Sequence, residues 1–102
     1  MPAFHEPSIG RAPQAPAAYR LLRGERVIFI GMALDLRASL AEHYDGREGE
    51  CTRRASAFEY ELTDDPVELQ RRWLAAHAAA NAGSLPECNE RQRKHRAPPR
   101  GI

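Results

Sequence analysis

No apolar run in this chain approaches the roughly 18 residues needed to cross a bilayer, which excludes a membrane-spanning helix from its design. Cysteine is scarce. Cys51 and Cys88 make no disulfide framework, so both are expected to be buried thiols in a reducing cytoplasm. Neither cysteine stands in a CxxC spacing, and no HxxxH pair accompanies them, so no zinc site is expected. Lysine is almost missing: Lys94 stands beside fourteen arginines, a bias that genome composition explains as well as selection for phosphate contacts. Met1-Pro2-Ala3-Phe4-His5-Glu6 lacks the charged and apolar regions of a secretory signal, which again fits a cytoplasmic location. There is no internal repeat.

What the chain has is unevenly spread. Residues 1–16 carry Pro2, Pro7, Pro13 and Pro16 among few apolar side chains, and residues 91–102 are mostly Arg, Gln, His and Pro. Both ends are expected to be disordered, because neither can bury enough surface to offset chain entropy. That leaves residues 17–90 as one small domain, hiding only about 60% of its unfolded surface. Its nine arginines face thirteen acids, a net of −4. Residues 91–102 hold Arg91, Arg93, Lys94, Arg96 and Arg100 without an acid, a net of +5. A basic tail of this kind is a solvated terminus or a polyanion-binding segment.

The periodicities between the ends give a fold. Ala18–Arg23 and Arg26–Gly31 flank Gly24-Glu25, a two-residue loop with glycine first, as a type II′ hairpin needs. The second run is nearly all β-branched or aromatic and is expected to be a central strand, with Gly31 releasing the chain from the sheet. Leu36, Leu40 and Tyr44 mark one face of a helix from about Asp35, with Ser39 and His43 beside that face. A short turn of helix follows near Thr52. Phe58, Tyr60 and Leu62 then alternate with Glu59 and Glu61 as a strand with one wet face. Asp65-Pro66-Val67-Glu68 starts a further helix with an N-cap, proline at the first position and an acid after the cap. The expected class is α+β, a small three-stranded, mostly antiparallel sheet with helices packed on it.

These elements carry an ordered set of short motifs. Tyr19 stands on the first strand and Phe29-Ile30-Gly31 on the second, followed by Asp35-Leu36-Arg37-Ala38-Ser39-Leu40-Ala41-Glu42-His43. Cys51-Thr52, Phe58-Glu59-Tyr60-Glu61 and Leu85-Pro86-Glu87-Cys88-Asn89 come after in the same order. Over residues 17–90 the chain resembles the GIY-YIG nuclease superfamily, in particular its small bacterial stand-alone members. That resemblance implies a phosphodiesterase cleft with Mg²⁺ or Mn²⁺, and nucleic acid, DNA ahead of RNA, as the partner. It puts Tyr19, His43 and Asn89 at surviving catalytic positions. Three further positions depart from the pattern. Phe29 stands where the family has its second tyrosine, Ser39 where it has an arginine, and Gln70 where it has a metal-holding glutamate. Ser39 removes a cation for the phosphate, and a neutral Gln70 binds hard divalent ions far more weakly than a carboxylate. The expectation is therefore a GIY-YIG-like domain with reduced or lost hydrolysis that acts as a nucleic-acid-binding module, its tail residues Arg91, Arg93, Lys94, Arg96 and Arg100 adding phosphate contacts. An active metal-dependent endonuclease with rearranged ligands is the second reading. A protein-interaction module without nucleic acid is the third, favoured by the acidic core.

Each survivor has a plainer role as well. Tyr19 fits a core strand position, His43 can satisfy last-turn carbonyls of its helix, and Asn89 after Leu-Pro fits a turn. Arg37 should face away from Ser39. Arg53 and Arg54 lie within reach of a cleft with nothing in the sequence to aim them there.

Overall fold

The computed structural model describes the backbone of residues 1–95 and the side chains of residues 1–92. Three strands, β1 (Ala17–Arg23), β2 (Arg26–Ala33) and β3 (Ala57–Leu62), form an antiparallel sheet in the order β2-β1-β3. Five helices accompany them: α1 (Glu6–Gly10), α2 (Leu36–Tyr44), α3 (Glu50–Arg53), α4 (Pro66–Ala80) and α5 (Glu87–His95). This is the expected α+β class with helices packed on the sheet. No helix among the described residues is long and apolar enough to cross a membrane.

The local signals act as their chemistry dictates. Gly24 takes φ +62° in the two-residue loop that joins Arg23 to Arg26, a conformation that costs a residue with a Cβ. The side chains of Asp35 and Asp65 accept from the Ala38 and Glu68 amides, capping α2 and α4. Leu36 and Leu40 of α2 are fully buried, whereas α4 buries only Pro66 and Leu69; Trp73 lies half-buried under the Arg20 guanidinium, 3.7 Å from its ring centroid.

Four expectations are corrected. The first concerns the N-terminal segment, which is built into the domain. Ala3 bridges to Ala57, the Phe58 amide donates to the Pro2 carbonyl, and Phe4, Ile9 and Ala12 join the core. Phe4 packs edge-on against Tyr44 and Phe58. Its few apolar side chains suffice because they fill a gap between β3 and α2, and a buried phenylalanine alone contributes about 1.5–3 kcal/mol. The second concerns the basic segment, where α5 carries helix through Arg91, Arg93 and Lys94; Arg96 and Arg100 lie outside the described residues.

The third concerns strand position. β1, not β2, is central. β2 reads as a two-sided strand because helices cover it and a side-chain amide pairs its outer edge, so its apolar content reports burial rather than rank in the sheet. The strand also runs on past Gly31. A Cβ on that residue would come within 2.7 Å of Tyr19 and Phe29 ring atoms, so the glycine makes room for the tyrosine ring rather than releasing the chain.

The fourth concerns the cysteines. Cys51 of α3 and Cys88 of α5 are joined as a disulfide, with Cα atoms 5.6 Å apart. A pair separated by 37 residues gives no spacing signal; only the packing of α3 on α5 brings the two together.

Candidate cleft between α2 and the sheet

The cleft grows from one choice at the sheet. Gly31 and Tyr19 are direct partners across β1 and β2, and the absent Cβ lets the Tyr19 ring lie across the strand toward α2. There its hydroxyl meets His43 Nε2 at 2.8 Å, and His43 Nδ1 meets Thr52 Oγ1 at 2.8 Å. All three residues are at least 97% buried. A neutral imidazole suits this chain of contacts, since one ring nitrogen donates while the other accepts. Burial alone pushes the His43 pKa down to about 4.

That depression has a stability consequence. The unfolded imidazole takes a proton near pH 6.5, while the folded one resists until about 4. The unfolded state therefore binds more protons in that window, and stability present above pH 6.5 falls as pH drops toward 4. The contribution lost is about 3 kcal/mol. Urea unfolding at pH 7 and pH 4 should show that loss in the wild type and a smaller one in His43→Gln; equal losses would remove His43 as the cause.

Tyr19, Phe29, Gly31, Met32, Ser39, Glu42, His43, Glu48, Gln70 and Gln92 line an open cleft of about 220 Å³. The cleft thus unites Tyr19, Phe29, Ser39, His43 and Gln70 as the sequence implied. Asn89 is not among the lining residues. Its Oδ1 accepts from the Ile30 amide at 2.8 Å and its Nδ2 donates to the Ile30 carbonyl at 2.9 Å, so it completes the outer edge of β2 as a neighbouring strand would. Gln70 Nε2 donates to the same carbonyl at 3.2 Å. Arg37 faces the N-terminal segment, donating to the Ala12 carbonyl, and Arg54 turns to Glu87. Glu68 is occupied with Arg71 and Arg72.

Sequence reasoning missed Glu42, Glu48 and Gln92. Glu42 stands one turn from Ser39 on the same helix, so helical spacing could have placed it. Glu48 arrives from a loop and Gln92 from α5, without local signal. Their charge matters. The Tyr19 phenol is held well above its ordinary range, first by burial and then by Glu48 and Glu42, while a hydrogen bond with Ser39 acts the other way. Among the described residues, no arginine or lysine lines the cleft.

The chemistry open to this arrangement is narrow. Tyr19 and His43 share a hydrogen bond, but the raised phenol pKa and the lowered imidazole pKa both oppose moving a proton between them. Phosphodiester cleavage also needs a cation on the phosphate and a group that holds a metal. Where the resemblance puts a metal-holding glutamate, Gln70 offers a neutral amide already bonded to the backbone, and among the described residues no three His, Cys, Asp or Glu gather as a metal site. The residues present therefore do not fit a catalytic Mg²⁺ or Mn²⁺. Glu42 and Glu48 instead line the cleft with carboxylates, which would repel a phosphate at close range.

Compared with protein-family models, with curated proteins and with solved structures, the chain finds no match in any of the three.

Proposed function

We propose that this chain is a GIY-YIG-like domain that binds nucleic acid, DNA ahead of RNA, with little or no phosphodiester hydrolysis. The observation that carries the reading is the cleft itself. Tyr19, Ser39, His43 and Gln70 meet on one wall system, in the order the resemblance implies, yet the cation and carboxylate that hydrolysis needs are replaced by Ser39 and Gln70. Such a cleft keeps a scaffold and gives up most of its chemistry, since loss of one member of a catalytic set costs orders of magnitude in rate. Binding then rests on arginines outside the cleft and on the basic C-terminal segment. The proposed location is the cytoplasm, whose reducing poise makes the Cys51–Cys88 bond conditional.

A salt titration of DNA binding tests the reading. Counterion release predicts log affinity falling linearly with log salt, with a slope of about −3 or steeper if several arginines meet phosphates. An affinity flat across salt, or no binding at low salt, rejects it. The second reading, an active metal-dependent endonuclease, would need Glu42 and Glu48 to take the metal in place of Gln70, against the repulsion those acids offer a phosphate. Metal-dependent nicking lost in Tyr19→Phe would support that enzyme.

A further inference from the structure

The acidic cleft leaves open where a polyanion would dock, and one part of the surface has the charge the cleft lacks. Arg23 ends β1, Arg26 begins β2, Arg54 follows α3 and Arg91 lies on α5. Three of them, Arg26, Arg54 and Arg91, bear on Glu87, and Arg23 joins through the Arg54 backbone. Its Oε1 accepts from Arg26 and its Oε2 from Arg54 at 2.7 Å, while Arg91 is close enough to stabilise the carboxylate. Arg23 donates to the Arg54 carbonyl at 2.8 Å, which ties the hairpin end to the end of α3.

Four arginines against Glu87 and the hairpin-loop Glu25 leave this patch a local charge of +2, in a domain whose residues 17–90 sum to −4. One carboxylate fixes two guanidinium planes, and each guanidinium has five donors, so most donors remain for another partner. The side chains of Arg26 and Arg54 are 70% and 40% exposed. A shallow groove of about 160 Å³ beside Arg26 and Glu87 is also lined by His77, Asn81 and Ser84, which carry hydrogen-bonding groups. None of the four arginines lines the cleft.

We propose that the Arg23–Arg26–Arg54–Arg91 cluster, organised by Glu87, is the surface that holds nucleic-acid backbone phosphates. The inference rests on the nucleic-acid reading and assigns it a place away from the cleft. Glu87 acts as a positioning residue, holding two forks at a fixed separation for successive phosphates.

The test is salt-dependent binding of a short labelled DNA duplex to the full chain and three variants. Arg23→Ala/Arg26→Ala should weaken binding about tenfold and lower the salt slope by up to about 2, one for each phosphate no longer neutralised. Arg23→Lys/Arg26→Lys should keep most of the slope, because charge is retained. Arg71→Ala/Arg72→Ala removes the same charge from exposed α4 positions and should change binding far less. Unfolding curves confirm that each variant folds; both hairpin arginines are exposed, so they should. An unchanged slope in the hairpin alanine variant, with wild-type binding intact, overturns the cluster and leaves the nucleic-acid reading standing. Equal losses in both alanine variants overturn it too, since net charge alone would then account for binding. No binding by the wild type overturns both.

Discussion

Serine at both Cys51 and Cys88 is expected to lower the unfolding free energy by about 4 kcal/mol. Chain-entropy accounting for a bond across 37 residues gives that figure, because the unfolded chain is no longer held in a closed loop. A domain of this length has about 5–15 kcal/mol in total, so the loss is a large share of it. Thermal unfolding by circular dichroism should show a fall of about 15 °C or more, reproduced by adding reductant to the wild type. The bond also neighbours two contacts that support the cleft wall and the sheet edge. Thr52, next to Cys51, holds His43; Asn89, next to Cys88, holds the edge of β2. Exchange of the Ile30 amide, bonded to Asn89, should therefore quicken on reduction, reporting local loosening before global unfolding. An unchanged melting temperature in the serine variant and in reductant would show that the pair contributes nothing.

The second large effect is a gain. Ser39→Arg combined with Gln70→Glu should raise metal-dependent nicking of supercoiled plasmid by orders of magnitude over either single change. Ser39 sits near enough to Tyr19 to hydrogen-bond its phenol, so an arginine there would bring a cation to the cleft and draw the phenol pKa down. Glutamate at 70 would give up the hydrogen bond to the Ile30 carbonyl, at a cost of about 1 kcal/mol, and present a carboxylate to the cleft. Members of a catalytic set act as a unit, so each single change should stay near background, and Tyr19→Phe should silence the double variant. A folded double variant without activity would show that the cleft is not a nuclease scaffold lacking only these groups.

How much of this could be read from the chain varies with the physics involved. The hairpin at Gly24, the caps at Asp35 and Asp65 and the stripe of Leu36 and Leu40 are local signals, set by residues within one or two turns of each other, and they appear where expected. The meeting of Tyr19 with His43 and Gln70 follows from those elements. Phe4 and Ile9 were hidden because a composition window reports how many apolar residues there are, not whether three of them fit one gap. The disulfide was hidden because it depends on the docking of α3 on α5. Helix α5 lacks an apolar stripe: Asn89 and Glu87 tie it to β2 and Cys88 ties it to α3, and so nothing periodic announces it. Asn89 shows the limit of residue-by-residue inheritance: its amide completes a strand edge, a role any family likeness leaves unspoken.

The most direct measurement follows bound fraction and cleavage together, on labelled DNA at saturating wild-type protein with Mg²⁺ or Mn²⁺ present. The expected result is DNA that is bound, released by added salt and recovered intact. Cleavage that disappears in Tyr19→Phe would contradict a binding-only domain and make Glu42 and Glu48 the groups to examine next.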